Sequence, residues 1–520
     1  MSLARNVVTV GSATLVSRVL GFARDMGIAA VFGAGGRADA FVVAFQLANL
    51  MRRLLAEGAF NPAIIPLYLR AQDDGGDKAA GRFAGRLIGT FIVSLAGLGV
   101  LLALAMPGIV LVLAPGFEMG SERAGTAVDM ARLMLPYMVF AAPVAVMIGV
   151  LNANGRFAAA AYATTAFNLA MLAVLALVFW RHGGDSPWSG RMIAGGVALA
   201  GLSQLALIGA AIFVGRLRVT PLSASFGRET RRFLALAVPG LVTSALPQLT
   251  VIAGVMVASS STNAVSWIYY ANRLIEMPLG IVGIAIGTVL VPAFTHAVRG
   301  GHAGELAHVE SRGLELALGL ALPAAIALIA LAEPIVHVLF QRGAFGAADT
   351  AGTAAALAAF ALGLPGHVLV KTFSPVFFAR EDTGTPMRAA LIGFIVAVSL
   401  SLLLMPAFGH VGIALAIAAS GWASAVLLGI LIARRFGFGV DTEAQRRLPR
   451  IVLAALLMGI AVEGGRRLLA PWLEAGASGL LRVLALAALI AAGFSVYVLV
   501  LALFRVTTPR QLMHAITRRP

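Results

Sequence analysis

Long apolar segments separated by short polar gaps recur from one end of the chain to the other. A helix needs roughly 20 apolar residues to cross a bilayer, so each segment predicts one transmembrane helix. The fourteen segments span residues 8–32, 38–68, 85–113, 126–152, 157–180, 191–215, 230–258, 264–296, 312–332, 351–378, 387–406, 411–433, 448–470 and 480–505. The pattern therefore predicts an all-α polytopic membrane protein with fourteen transmembrane helices.

Composition agrees with this fold class. The 520 residues are 60% hydrophobic and only 12% charged, about half the charged fraction of a soluble domain. The N-terminal segment, residues 1–25, has no clear small-residue cleavage site after a short apolar core, which predicts a retained first span rather than a removed signal peptide. The most polar stretches, 70–86 and 434–450, are only long enough for loops.

Lysine and arginine fall unevenly between the two sets of alternate gaps. One set, which includes both termini, holds 24 of them and the other holds 8. Cytoplasmic loops of membrane proteins are enriched in basic residues, so both termini are expected in the cytoplasm. The net charge of +16 then reflects topology, and no contiguous basic surface indicates a nucleic-acid partner.

Short sequence matches between the two halves predict an internal repeat. The matched positions are Asn49 with Asn272, Pro66 with Pro292, and Arg156 with Arg380, at offsets of 223, 226 and 224 residues. A nearly constant offset predicts two parallel six-helix lobes, residues 1–220 and 228–435, because an even number of spans returns the chain to the same side. The last two spans, 446–506, are then an addition.

Charged residues inside spans one, two and eight carry the strongest functional signal. A charge at bilayer depth costs at least about 2.5–3.5 kcal/mol. These side chains must therefore face water, each other, or both. The residues are Arg18, Arg24, Asp25, Asp39, Arg52, Arg53, Glu57, Arg273 and Glu276.

Helical spacing predicts which of these side chains share a face. Arg18 and Asp25 are two turns apart, and Arg273 and Glu276 are three residues apart, so each pair lies on one side of its helix. The alternative is that such charges are structural ion pairs that hold helices together. That reading is harder to sustain for the whole set than for any one residue.

Adjacent arginines in span two predict a division of roles. Arg52 and Arg53 point in different directions, so Arg52 is expected to face a cavity and Arg53 to pair with Glu57, four residues on. The five arginines of spans one, two and eight outnumber Asp25, Asp39, Glu57 and Glu276. A surplus of guanidinium groups predicts an anionic ligand, and their fork suits phosphate.

No motif predicts an enzyme, a cofactor or a metal site. The chain has no cysteine, no Gly-rich phosphate loop with Lys-Ser/Thr, no HExxH and no nucleophile elbow. A cation or drug antiporter would be expected to have an acidic cavity. A membrane glycosyltransferase would need acidic catalytic residues in an extracytoplasmic loop, and the short loops here offer no such arrangement.

Several motifs in the chain resemble the MurJ/MviN family of lipid II flippases. They are SRVLGFARD (17–25), FGAG followed by DAF (32–41), NLMRRLLAEGAF (49–60), SWIYYANRLIEMPLG (266–280) and GTVLVPAF (287–294). The resemblance implies two six-helix lobes around a central cationic cavity, plus two C-terminal helices that form a groove for the lipid tail. It implies substrate binding by Arg18, Arg24, Asp39, Arg52 and Arg273, with Asp25, Asn49, Arg53, Glu57 and Glu276 in support.

The same resemblance implies that the substrate is lipid II and that it crosses by alternating access, with membrane lipids and the cell-wall synthesis machinery as partners. Gln46 and Asn272 depart from the family, which often has a basic and an acidic residue at these positions, so no role is carried over to them. A flippase for another polyprenyl-pyrophosphate-linked oligosaccharide stays open as the alternative. Coupling to membrane potential, protons or sodium is equally open.

Overall fold

The computed structural model describes residues 3–54, 60–182, 187–219, 222–300, 303–437, 440–473 and 478–506. In these ranges the regular secondary structure consists of α-helices and contains no β-strand. The all-α prediction is confirmed. The helices are α1 (Leu3–Phe32), α2 (Gly36–Leu54), α3 (Asn61–Leu113), α4 (Glu122–Met134), α5 (Pro136–Ala153), α6 (Phe157–His182), α7 (Pro187–Val214), α8 (Arg228–Ala258), α9 (Ala264–Gly300), α10 (Ala303–Ala330), α11 (Ala332–Phe340), α12 (Ala347–Ala361), α13 (Leu364–Phe378), α14 (Gly384–Phe436), α15 (Thr442–Leu468), α16 (Ala470–Leu473) and α17 (Gly479–Leu503).

Membrane-spanning helices are recognisable by length and apolar composition. Within the described ranges, eight helical segments are long and apolar enough to cross a bilayer. They are Pro62–Leu113, Glu122–Ala153, Phe157–Arg181, Trp188–Val214, His308–Ala330, Gly384–Phe436, Thr442–Leu468 and Gly479–Leu503. α12 and α13 pass the same test as a pair bent by 40°. The multi-pass fold is thus confirmed, while the number fourteen stays a prediction.

Helix α3 extends through the polar stretch 70–86 that was predicted to be a loop. It runs for 53 residues and is interrupted only by non-helical backbone at Gly75 and Gly76. Gly76 has a φ of +66°, in the left-handed region that glycine adopts without steric penalty. The prediction of a loop over 70–86 was wrong. The polar residues of this stretch are compatible with helical backbone, and only Gly75 and Gly76 depart from it.

One further predicted boundary differs from the observed one, and another agrees with it. The predicted span 38–68 is not one helix, since α2 ends at Leu54 and α3 begins at Asn61. The predicted spans 387–406 and 411–433 correspond to the two arms of α14, which is interrupted at Gly409 with a φ of +56°. Glycine again supplies the backbone conformation at the break.

The first compact unit comprises Met1–Ser266 together with the short segment Arg342–Phe345. In it, α6 packs against α1 and α7, α3 packs against α5 and α8, and α2 packs against α4. Large aromatic side chains fill its interior. For example, the rings of Tyr137 on α5 and Phe167 on α6 meet edge to face with centroids 5.6 Å apart.

The second compact unit comprises Trp267–Gln341 and Gly346–Pro520. Here α13 lies along α14, and α10 packs against α13 and α15. The C-terminal helix α17 packs on α15 and is also joined to α10, because the buried Tyr497 hydroxyl donates to the Gly319 carbonyl oxygen over 2.7 Å. The last two long helices are therefore attached to this unit by packing and by a buried hydrogen bond.

Among the closely spaced helix pairs of the described chain, α4–α5 in the first unit and α12–α13 in the second lie at a similar sequence spacing. α5 follows α4 after one residue, and α13 follows α12 after two. α13 ends 225 residues after α5, from Ala153 to Phe378. The spacing is close to the sequence offsets of 223–226 residues, and the internal repeat stays a prediction. The compact units divide between Ser266 and Trp267, and the lobe boundaries 1–220, 228–435 and 446–506 stay predictions.

Candidate functional site

Arg24 forms a buried ion pair with the next residue of α1. Its Nε and Nη2 donate to Oδ1 of Asp25 over 3.0 and 2.7 Å, and its Nη1 donates to Oδ1 of Asn168 on α6 over 3.0 Å. Arg24 is 6% exposed and Asp25 is fully buried. A charge pair removed from water requires close partners of this kind. The geometry of Arg24 therefore fits the alternative in which charges inside the spans are ion pairs that hold helices together.

Asn168 connects this ion pair to the rest of α1. Its Nδ2 donates to the backbone oxygen of Ser17 over 2.9 Å. The rings of Phe45 and Phe167 lie 5.6 and 5.8 Å from the guanidinium carbon of Arg24, within the range of cation–π attraction. The Arg24 cluster thus holds α1, α2 and α6 together inside the first unit.

Arg18 lies on α1 without a comparable partner. It is half-buried, and in the described part of the chain its side chain makes no ion pair or hydrogen bond, including none with Asp25. The pairing across two helical turns is therefore absent, because Arg24 occupies Asp25. A guanidinium at membrane depth is expensive unless it meets water or an anion. Arg18 is accordingly well placed to accept an anionic ligand.

Arg52 is oriented by a neutral side chain of its own helix. Its Nε and Nη2 donate to Oδ1 of Asn49 over 3.3 and 2.9 Å, one turn earlier on α2. The amide oxygen of Asn49 thus orients the guanidinium along α2. Arg52 also borders a cavity of about 280 Å³ inside the first unit.

Helices α1, α2, α5, α6 and α7 enclose this cavity, which we call the Arg52 cavity. Its polar lining includes Asn152, Thr164 and Gln204 beside Tyr137 and Arg52. The rest of the wall is mainly alanine and branched aliphatic side chains. The sequence analysis did not single out any of these three neutral residues. Placing a neutral polar side chain in the membrane costs much less free energy than placing a charge there, so such a residue does not stand out in an apolar run.

Asp39 accepts four hydrogen bonds at the beginning of α2. Ser266 donates its backbone N–H over 3.0 Å and its hydroxyl over 2.5 Å, Asn263 donates its backbone N–H over 2.9 Å, and Arg123 donates Nη2 over 2.9 Å. The carboxylate is fully buried. Asp39 therefore joins α2, the start of α4 and the turn between α8 and α9. Sequence reasoning missed these donors because two of them are backbone amides.

Arg273 lies in the second unit, on α9. Its Nη1 donates to Oε2 of Glu276 over 2.6 Å, and Nδ2 of Asn272 donates to the other oxygen of the same carboxylate over 3.3 Å. The side chains of Arg273 and Glu276 are 23% and 28% exposed. The placement of both charges on one side of the helix, predicted from their spacing, is confirmed.

The remaining sequence-predicted residues belong to α2 and the segment that follows it. Arg53 is half-buried, and Gln46 is 8% exposed. Glu57, the predicted partner of Arg53, lies outside the described residues. Among the residues that the structure does describe, no three His, Cys, Asp or Glu side chains are grouped so that they could hold a metal ion.

An ionic network that the sequence did not reveal joins α10 to α15 in the second unit. Arg312 donates to Glu315 over 2.6 Å and contacts Asp441 and Glu443 at 3.3 Å. Asp441 caps α15 by accepting the Ala444 backbone N–H over 2.6 Å. This hydrogen bond is the main cause that lowers the pKa of Asp441, with smaller contributions from Arg312 and His308. The partners are about 130 residues apart in sequence, which is why no local pattern indicates them.

The sequence matches one family model and several known proteins over most of its length. A family model described as "Lipid II flippase MurJ" matches residues 28–478. The chain is 41% identical over 498 residues to the probable lipid II flippase MurJ of Rhizobium meliloti (strain 1021), covering 96% of this chain and 93% of the relative. It is 34% identical over 465 residues to the lipid II flippase MurJ of Burkholderia cenocepacia, covering 88% and 89%.

Solved structures show the same fold. The structure described as "Lipid II flippase MurJ, inward closed conformation" superposes with a TM-score of 0.80 at 22% identity, covering 97% of this chain and all of that one. An inward-facing multidrug resistance MATE transporter of the MOP superfamily superposes with a TM-score of 0.67 at 16% identity, covering 83% and 98%. At these identities the likeness concerns the fold alone.

Proposed function

The chain belongs to the lipid II flippase MurJ family, and from that premise we propose that it moves lipid II from the cytoplasmic to the outer leaflet of the membrane. Its apolar helices and its family make it a multi-pass protein of the bacterial inner membrane. Flipping changes no covalent bond, so the protein is a transporter and not an enzyme. In the proposed alternating access, the binding site opens first to one side of the membrane and then to the other.

The observation that carries this proposal is the half-buried guanidinium of Arg18, which has no side-chain partner among the described residues. Lipid II presents a pyrophosphate, and a guanidinium forms charge-assisted hydrogen bonds with phosphate oxygens. An anionic substrate would offset the cost of holding Arg18 in an apolar environment. We assign Arg18 the first contact with the pyrophosphate.

Other predicted site residues are assigned according to their contacts. Arg52 of the first unit, which borders a cavity, and Arg273 of the second unit, which is partly exposed, are proposed as substrate-binding residues. Arg24 and Asp39 are fully engaged with protein groups, so we propose that they position helices and act on the substrate only indirectly. Asn49 and Glu276 orient Arg52 and Arg273.

The lipid tail is assigned to the last two long helices. A groove of about 540 Å³ lies between α10 and α15. It is lined by the apolar Ile326, Ile329, Leu456 and Ile460 and also by the charged Glu463 and Arg467. The apolar part of this groove suits a polyprenyl chain, and the charged residues suit a polar group next to it, which supports the proposed role of α15 within segment 446–506. The 24 to 8 division of basic residues supports the cytoplasmic placement of both termini. Association with the cell-wall synthesis machinery is a further proposal.

The experiment depletes the native protein and supplies variants in its place. Arg18→Ala is expected to abolish growth and to accumulate inward-facing lipid II, and Arg18→Lys is expected to rescue in part because it keeps the charge without the fork. Arg388→Ala is the matched control, since Arg388 is an exposed arginine near the start of α14.

The same variants are then purified and reconstituted into liposomes that contain lipid II. We expect flipping by the wild-type protein and by Arg388→Ala, and a loss of at least tenfold for Arg18→Ala. Wild-type flipping rates for Arg18→Ala would refute the assignment of Arg18. Absence of lipid II flipping by the wild-type protein, together with flipping of an unrelated polyprenyl-pyrophosphate oligosaccharide, would refute the substrate.

A further inference from the structure

The Arg52 cavity presents neutral polar groups that the protein does not use. The side chains of Asn152 and Thr164 make no hydrogen bond within the described ranges of the chain. Gln204 is 6% exposed, and its Nε2 donates to the Ala163 backbone oxygen over 3.1 Å, which leaves its carbonyl oxygen as an acceptor. Polar groups enclosed by apolar walls normally find partners. This lining therefore suits a ligand that carries hydroxyl and amide groups.

The size and the walls of the cavity narrow the class of ligand. Its volume of about 280 Å³ is near the lower end of ligand pockets, which begin at roughly 300 Å³. It can hold one ring-sized group but not a whole disaccharide–peptide head group. Its small apolar side chains, such as Ala141 and Ala161, offer space for a methyl group or a ring face.

The position of Arg52 selects one part of the head group. In lipid II the sugar is bonded directly to the pyrophosphate, and the peptide is attached farther away. A pyrophosphate held by Arg52 would thus place the adjoining sugar at the Arg52 cavity. We propose that this cavity is a subsite for that N-acetylated sugar, with Asn152, Thr164 and Gln204 as its hydrogen-bonding residues. The inference rests on the proposed function.

The test measures binding of three probes to the full-length protein in nanodiscs. The probes are undecaprenyl pyrophosphate, the same lipid bearing the N-acetylated disaccharide without peptide, and complete lipid II. Asn152→Leu and Gln204→Leu are each expected to lower the affinity for both sugar-bearing probes by roughly three- to tenfold, which is the usual loss for one neutral hydrogen bond. Binding of undecaprenyl pyrophosphate is expected to stay unchanged.

Two further variants separate the subsite from general effects on folding. Ser203→Ala is the matched control, because Ser203 precedes Gln204 on α7 and its hydroxyl donates to the Ala200 and Ala166 backbone oxygens. Ala161→Phe fills the cavity while removing no polar group, and it is expected to reproduce the loss for the sugar-bearing probes. It takes the place of any leucine variant that fails to fold.

The outcomes are distinguishable. Equal loss for all three probes, or no loss for any, would overturn the sugar subsite. Loss confined to complete lipid II would assign the cavity to the peptide and would also overturn it. If the wild-type protein bound none of the three probes, the proposed function itself would fail, whereas normal wild-type binding with unaffected variants would remove only the subsite.

Discussion

Replacing Asp39 by alanine is expected to destabilise the first unit even when no substrate is present. The carboxylate is fully buried and accepts hydrogen bonds from Arg123, from the backbone of Asn263, and from both the backbone and the hydroxyl of Ser266. Alanine removes the acceptor for every one of these donors. The partners cannot all turn to solvent, because Ser266 is itself fully buried.

The magnitude follows from the groups that are left behind. Removing one member of a buried ion pair costs about 3–5 kcal/mol. An independent estimate agrees, since two backbone amides without partners cost about 1–3 kcal/mol each. We therefore expect Asp39→Ala to lower the free energy of unfolding by about 3–5 kcal/mol. Asp39→Asn keeps one carbonyl oxygen as an acceptor and should lose less.

The assay is a denaturant titration of the purified protein in detergent without lipid II. The matched control is Asp129→Ala, since Asp129 pairs with Arg191 at 3.1 Å but both side chains are about half exposed, and exposed pairs contribute only about 0–1 kcal/mol. If Asp39→Ala unfolded like the wild type and lost only flipping, the positioning role would be refuted. Asp39 would then be a direct substrate ligand.

Two further predictions concern the ends of helices. Asp441→Ala should destabilise the protein by about 1 kcal/mol at neutral pH, because it removes the side-chain cap on α15. The folded pKa of Asp441 is lowered mainly by the Ala444 amide, so its stabilisation is present above about pH 4 and is lost as pH falls through the folded pKa, which unfolding titrations of the two proteins would show. Gly33→Ala should cost about 1–3 kcal/mol, because Gly33 has a φ of +63° and a Cβ there would lie 2.5 Å from the Ala344 oxygen. Gly35→Ala meets no atom within 4 Å, and equal melting temperatures for both glycine variants would contradict this reasoning.

The fold class could be predicted from the sequence because hydropathy is a local property. A run of apolar residues has few alternatives to a membrane helix. The breaks at glycine fall in predicted gaps between spans, but how short each break is was harder to predict. Gly75 and Gly76 break α3 inside a stretch that was expected to be a loop, and Gly409 divides α14. Gly76 and Gly409 adopt left-handed φ values of +66° and +56°, and because glycine also occurs in regular helix, the residue type alone does not reveal where the backbone departs from it.

The candidate site was predictable only as far as charge can be read from a single chain. Arg18, Arg24 and Arg273 were all indicated by the cost of charge in a membrane. The sequence could not tell that Arg24 and Arg18 have opposite environments, because the difference depends on Asn168, which is 144 residues from Arg24. Helical spacing also favoured the wrong partner for Asp25. The long arginine side chain reaches its immediate neighbour although their Cβ atoms diverge.

The adjacent pair of Arg24 and Asp25 has a consequence for biosynthesis. Chains are made at about 5–20 residues per second, so Asn168 emerges from the ribosome roughly 7–29 s after Arg24. The first helix is therefore synthesised well before the residue that Arg24 contacts on α6. Because the opposite charge is the very next residue, the segment carries its own counterion through the translocon. Moving the two charges apart along the helix would raise the free-energy cost of inserting the helix into the membrane, while the net charge of the protein would stay the same.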